Sequence, residues 1–358
     1  MTTADSIPVI VGHHDTLLSL YMPERGHGRG FFERSEFGHI DLPRAREGGL
    51  AGGFFAIFVP SCCADGSPNR MQVVRTERGY EIPMESAVDL AYAQQTTMAM
   101  MALLFRLERE SKGQLQVVRG ISELERNIQQ HVHSAILHFE GAEAIDTDLN
   151  ALEVFYQAGL RSLGIVWSRP NAFACGVPFK FPSSPDTGPG LTEAGRELVK
   201  ACNSLGIMLD LSHLNERGFW DVAALSEAPL VATHSNVHAI CPSTRNLTDK
   251  QLDAIGESGG VVGLNFAVYD LREDAERDTN VPLELLVRHI DYLVEHVTID
   301  GVAIGSDFDG TTIPQKIQDA SGLPKLLDAL RIHGYDEVAL RKIAYENWLR
   351  VLSKTWKA

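Results

Sequence analysis

Pro8-Val9-Ile10-Val11-Gly12-His13-His14-Asp15 joins a continuous apolar run to an abrupt polar end. A run without polar alternation suits a parallel strand buried on both faces. Seven further runs of the same kind follow, at 52–59 (GGFFAIFV), 134–139 (SAILHF), 162–167 (SLGIVW), 207–211 (IMLDL), 229–233 (PLVAT), 260–265 (GVVGLN) and 301–305 (GVAIG). With 8–12 as the first, they number eight. Helical periodicity fills most of the intervals, near 85–110, 147–158, 190–204, 216–226, 248–257, 282–297 and 335–353. Eight strands alternating with helices predict a closed (β/α)₈ TIM-like barrel rather than an open doubly wound sheet. No G-x-G-x-x-G follows a strand, which weighs against a dinucleotide fold.

The strand ends carry the chemistry. The first closes on Gly12-His13-His14-Asp15 and the third on Phe139-Glu140-Gly141. The fifth and sixth close on Ser212-His213 and His234-Ser235, and the eighth on Ser306-Asp307-Phe308-Asp309-Gly310. Active sites of such barrels lie at the C-terminal face, so these groups are expected to converge. Residues two apart on a strand share a direction, so His13 and Asp15 can hold one ion while His14 points away. Imidazole and carboxylate donors without Cys suit a catalytic zinc site with open positions. A glutamate such as Glu140, placed between two sub-sites, can bridge a pair of ions. Asp307 on the last strand reads as catalytic and Asp309 as structural. His14, His138 and His238 read as satisfied core or edge histidines.

The totals set outer bounds. The chain has 358 residues and a net charge of −15, with no Lys/Arg-rich run, which argues against nucleic acid or an anionic membrane as partner. The five cysteines (62, 63, 175, 202 and 241) are odd in number and form no C-x-x-C pair, so neither a disulfide framework nor a thiolate zinc site is expected. No signal-peptide pattern opens the chain, and the apolar run from Met98 to Phe105 is too short to span a bilayer. The expectation is a cytoplasmic protein, folded as one barrel domain over 1–358. Long irregular stretches at about 21–50, 61–84 and 168–189 follow strand ends and are expected on the catalytic face.

Several motifs occur together in a familiar order: G-H-H-D at 12–15, D-L-P-R-A-R-E-G-G at 41–49, F-E-G at 139–141 and D-L-S-H at 210–213. T-H-S at 233–235, S-T-R-N at 243–246, G-S-D-F-D-G at 305–310 and N-W-L-R-V-L at 347–352 complete the set. In these the chain resembles the membrane (renal) dipeptidase family of the metal-dependent hydrolase superfamily, over nearly its whole length. The resemblance implies two Zn²⁺ ions per chain, one held by His13 and Asp15 and the other by His213 and His234, with Glu140 bridging. It implies that Arg245 grips the free C-terminal carboxylate of a dipeptide and that Asp307 moves a proton to the leaving amine. It further implies tolerance of a D-residue at the C-terminal position, and a homodimer.

The roles have physical sense. Two metals activate water and polarise an amide at neutral pH. A carboxyl group supplies the proton the leaving amine needs. A planar guanidinium matches a carboxylate bidentately. One position departs from the family pattern: where a His is common, Val166-Trp167-Ser168 places Trp167. Its indole can donate one hydrogen bond to the substrate or simply wall the pocket. That departure keeps a second substrate class in view: an N-acyl amino acid, lactone or other small amide. A barrel that only binds a ligand is the non-catalytic alternative, against which the intact ligand set argues.

Overall fold

The computed structural model describes residues 7–61 and 72–357. Eight parallel strands form the barrel: β1 (Val9–His14), β2 (Leu50–Ile57), β3 (His133–Glu140), β4 (Leu160–Gly164), β5 (Met208–Asp210), β6 (Val231–Ala232), β7 (Val261–Asn265) and β8 (Val302–Phe308). Each pairs with its neighbours in sequence, and β8 closes on β1 through His13 opposite Ser306. The β2–β3 register runs from Gly52 opposite Ser134 to Ile57 opposite Phe139. A short strand, Leu115–Val117, pairs with the first residues of β3 before β4 takes over from Leu137.

The core has two compartments, as a closed barrel requires. Ile10, Phe54, Ile136, Met208, Val231, Val261 and Ala303 fill the interior, and Trp348, Val351 and Leu352 of the C-terminal helix plug its lower end. Trp348 Nε1 donates to Ile304 O at 3.2 Å, and Asn347 Nδ2 donates to Ile299 O and Val302 O, both at 2.8 Å. The second compartment lies between strands and helices and includes Val9, Val11, Phe55 and Leu137. Burying a Leu or Phe there contributes roughly 1.5–3 kcal/mol per side chain.

The expected strands are all present, with shifted ends. β4 stops at Gly164, so Trp167 stands in the loop rather than on the strand. β8 runs to Phe308, so Asp307 is on it. The helix expected at 85–110 begins only at Leu90, because Asp89 caps it by accepting from Tyr92 N at 3.1 Å. The helix expected at 335–353 is interrupted: Glu337–Arg341 and Asn347–Thr355 flank a π-helical turn, Lys342–Glu346. Besides short helical turns such as Thr16–Tyr21 and Leu42–Glu47, two longer helices went unforeseen, Ile121–Gln130 and Leu323–His333, although the second carries apolar residues at 323, 326, 327 and 330 and a proline in its first turn.

The long loops carry secondary structure of their own. The two later ones contribute Val74–Arg75, Tyr80–Ile82 and Phe179–Phe181, which form a three-stranded antiparallel sheet. Cys175, Cys202 and Cys241 are free thiols, and Cys62 and Cys63 lie outside the described residues. No helix among the described residues is long and apolar enough to cross a membrane.

Candidate metal centre and substrate cavity

A local irregularity in β1 aims the first ligand. Ile10 faces the barrel interior, and strict alternation would put Gly12 inward and His13 outward. The pairing register shifts at this point on both sides of the strand, which marks a bulge. Gly12 still faces inward, where a Cβ would come within 2.3 Å of Thr233 O and 2.5 Å of the Trp348 ring. His13 follows it inward, and His14 turns out against Phe55 with ring centroids 4.2 Å apart.

Five side chains meet above this point. His13 Nε2 lies 3.4 Å from Asp15 Oδ2 and 3.7 Å from Glu140 Oε2. The other carboxylate oxygen, Glu140 Oε1, is 3.1 Å from His213 Nε2 and 3.7 Å from His234 Nε2. Glu140 thus presents one oxygen to each half of the cluster. Ligand atoms of His13, Glu140 and His234 lie within 4.8 Å of one another, and so do those of His13, Asp15 and Asp307. All of these residues except Asp307 are buried to 5% exposure or less.

Backbone strain concentrates in the same place. His213, Ser306, Asp307 and Asp309 have φ of 67°, 73°, 66° and 65°. Left-handed conformations at non-glycine residues cost on the order of 1–3 kcal/mol each, and surrounding structure must hold them. Ser306 Oγ donates to His13 O at 2.6 Å. Asp309 is clamped by Thr16 Oγ1 at 2.8 Å, Arg29 Nη2 at 2.7 Å and His39 N at 2.6 Å, the structural role expected of it.

Neighbouring hydroxyls orient the imidazoles, and sequence reading missed them. Thr233 Oγ1 donates to Asp210 Oδ2 at 2.5 Å and lies 2.8 Å from His234 Nδ1. A hydroxyl has one proton, so Thr233 must accept from His234 Nδ1–H. That leaves His234 Nε2 as a bare lone pair facing the cluster. Asp210 is itself fixed by Ser212 N at 3.0 Å and Thr233 N at 2.8 Å. Ser168 Oγ stands 2.8 Å from His213 Nδ1. The signal was a hydroxyl residue directly before His234 and an Asp inside the D-L-S-H motif. His138, deeper on β3, bonds Ser162 Oγ at 2.8 Å.

The donor set fits cations. His213 Nε2 and His234 Nε2 face each other at 3.1 Å, and burial, with Arg245 or His13 nearby, holds both imidazoles neutral far below their usual range. His13 Nδ1 and Nε2 and Asp15 Oδ1 are buried with no hydrogen-bond partner. Unpaired buried acceptors cost about 1–3 kcal/mol each, which a bound cation repays. Without it Glu140 and Asp307 are driven toward their protonated forms. Burial pushes Glu140 well above the carboxylate range, with Asp15 and Asp307 adding to the push. Burial opposes a proton on His13, but Glu140 and Asp15 outweigh it and raise His13 to about 10. Burial, with Asp15 beside it, pushes Asp307 up to about 7 against the pull of His13, Arg245 and Asn265. Asn265 Nδ2 donates to Asp307 Oδ2 at 3.2 Å.

The cluster opens into a cavity of about 330 Å³. Arg245, 4% exposed, lines it beside Asp270, Asp307 and Tyr269. Its Nη2 donates to His234 O at 3.0 Å, which ties the guanidinium to the loop that carries a candidate ligand. Trp167 also lines the cavity, its ring packed against Phe58 at 5.0 Å, Phe179 at 5.6 Å and His213 at 6.0 Å. The structure therefore brings together every residue singled out from the sequence for metal, proton or substrate.

Comparison with known proteins agrees in family and fold. The membrane dipeptidase family, peptidase family M19, matches residues 2–358. An uncharacterized Klebsiella pneumoniae protein from the pqqA 5′ region is 49% identical over 257 residues, 72% of this chain and 95% of that protein. The dipeptidase tcpJ of Claviceps purpurea is 25% identical over 316 residues, 88% of this chain and 69% of that one. A Rhodobacter sphaeroides metallo peptidase, solved with a phosphinate mimic of L-Ala-D-Ala, superposes with a TM-score of 0.91 at 51% identity, covering 98% of this chain and 100% of that one. An amidohydrolase from Pseudomonas aeruginosa, 21% identical, shares the fold with a TM-score of 0.76 over 99% of this chain and 98% of that one. The chain belongs to the membrane dipeptidase family and is a metallohydrolase of the dipeptidase type.

Proposed function

We propose that this protein is a two-zinc dipeptidase that cleaves dipeptides with a free C-terminal carboxylate, including those ending in a D-residue. The observation that carries the reading is the placement of Arg245 and Asp307 in one cavity with Asp15, Glu140 and His213, where Glu140 also reaches His13 and His234. His13 and Asp15 would hold one ion, His213 and His234 the other, and Glu140 would span them. When bound, the ions polarise the scissile carbonyl and acidify the attacking water. Nitrogen and oxygen donors without thiolate suit zinc.

The remaining steps belong to the protein. Arg245 fixes the substrate carboxylate and so sets the distance from chain end to scissile bond. Its backbone-anchored guanidinium admits one residue beyond that bond. Asp307 stands beside the ligand cluster, where its carboxylate can take the proton that the attacking water gives up. It passes that proton to the leaving amine nitrogen as the C–N bond breaks. Asn265 keeps Asp307 Oδ2 aimed during the transfer. The Rhodobacter relative, bound to a mimic of L-Ala-D-Ala, supports the D-residue at the C-terminal position.

Purified holoenzyme assayed against a library of L-X-L-X and L-X-D-X dipeptides tests this. Metal-dependent hydrolysis is expected, and Arg245→Ala should raise KM for substrates with a free carboxylate by roughly 10-fold or more. No hydrolysis of any member overturns the reading. Trp167, standing where the family commonly has a His, favours a second reading as an amidohydrolase for N-acyl amino acids. Faster turnover of those compounds than of dipeptides would select it.

A further inference from the structure

In a ring of eight strands, the position opposite β6 is β2. Arg245 lies in the loop after β6, so the loop leaving β2 stands across the mouth from it. Phe58, in that loop, lines the cavity. Two extended residues span at most about 7 Å. A dipeptide anchored by its carboxylate at Arg245, with its scissile carbonyl over the ligand cluster, therefore points its N-terminal residue at the β2 side.

That side is an aromatic shelf. Phe58 and Trp167 are both half-buried cavity walls, with centroids 5.0 Å apart and planes at 65°. Behind them lies Arg169, with no exposed surface, its guanidinium carbon 5.3 Å from the Phe58 ring and 5.5 Å from the Trp167 ring. Arg169 is locked by Glu143 Oε1 at 2.8 Å, Ser61 Oγ at 2.9 Å and Val59 O at 2.6 Å. The cation holds both rings from the rear by cation–π attraction, so they cannot collapse into the cavity or turn away. Leu18 and Met22 extend the apolar lining. A preformed apolar surface binds a matching side chain with little ordering cost.

From this geometry we infer that Phe58 and Trp167 form the subsite for the substrate's N-terminal residue, and that it selects large apolar or aromatic side chains. The inference rests on the dipeptidase reading above and adds the substrate class. Arg169 is a positioning residue that acts through the two rings.

The test is a matrix of dipeptides on the zinc-loaded enzyme. N-terminal Phe, Leu, Gly and Asp are each paired with C-terminal L-Ala and D-Ala. The wild type should show kcat/KM for the Phe and Leu substrates roughly 10-fold or more above the Gly and Asp ones. Phe58→Ala should shrink the Phe-to-Gly ratio by about 10-fold, while the ratio between L-Ala and D-Ala substrates moves less than about 3-fold. Phe58→Leu, which keeps most of the volume, should retain the preference for N-terminal Leu. Hydrolysis without selection at the N-terminal position, or a Phe58→Ala effect on C-terminal selection instead, overturns this inference and leaves the dipeptidase reading standing. Hydrolysis of nothing overturns both. Should Phe58→Ala fail to fold, the wild-type profile together with Phe58→Leu decides the matter.

Discussion

Replacing Thr233 by valine removes one hydroxyl at nearly constant volume. Thr233 Oγ1 lies between Asp210 Oδ2 at 2.5 Å and His234 Nδ1 at 2.8 Å, and all three residues are buried. The substitution leaves His234 Nδ1–H without an acceptor in a site sealed from water. A buried unsatisfied polar group costs about 1–3 kcal/mol. The imidazole can escape that cost by moving its proton to Nε2 or by rotating, and either abolishes the lone pair aimed at the cluster. Zinc affinity should fall by roughly 10–100-fold, the usual effect of removing such a partner. The loss should be confined to one of two equivalents, because His13 and Asp15 do not touch Thr233. Zinc content after dialysis against graded chelator would read this directly, with no reliance on turnover. Thr233→Ser restores the hydroxyl and should restore the second equivalent. If Thr233→Val keeps both equivalents at wild-type affinity, the hydroxyl does not set the tautomer and the reasoning is wrong.

Three further outcomes are expected. Asp307→Asn should cut kcat by roughly 10²-fold or more with zinc content near normal, as a lost proton donor would; loss of an equivalent of zinc would instead make Asp307 a ligand. Gly310→Ala should lose zinc and activity together, because a Cβ there would come within 2.2 Å of Asp15 Oδ2 and 2.4 Å of Asp307 Oδ1, a clash that wild-type metal content would disprove. Stability should fall as the pH drops from about 6.5 toward 4. Burial lowers His133 and His289 from 6.5 to about 4, so between those values the unfolded chain binds protons that the folded chain refuses. Each histidine then withdraws about 3 kcal/mol by pH 4 and nothing above pH 6.5. His289 is held by Leu271 O at 2.9 Å and by Val237 N at 3.4 Å. His289→Gln should flatten the pH slope of denaturant-measured stability by about 1.4 kcal/mol per pH unit near pH 5; an unchanged slope would refute the assignment.

The barrel was legible in the sequence because strands buried on both faces must be apolar throughout, and eight such runs stand out against amphipathic helices. The candidate ligands were legible for a related reason: a His or Asp directly after an apolar strand is conspicuous. Strand and helix ends were less so, since caps such as Asp89 and the π-helical turn at Lys342–Glu346 depend on local hydrogen bonds rather than on periodicity.

By itself, then, the sequence determined the barrel, the strand ends that carry the candidate ligands, and the family resemblance from which the roles proposed for Arg245 and Asp307 are drawn. Only the tertiary structure decided which way the groups face. Simple alternation from Ile10 would have turned His13 out of the barrel; the bulge after Gly12 turns it in, and nothing in residues 8–15 announces the extra step. The tautomer of His234 depends on Asp210, a residue of a different strand brought within reach by the β5–β6 pairing. Phe58, Trp167 and Arg169 come from the loops after β2 and β4, and their mutual packing exists only in three dimensions. Composition and period reveal which residues must be buried; direction, protonation and contact are set by neighbours far away in the chain.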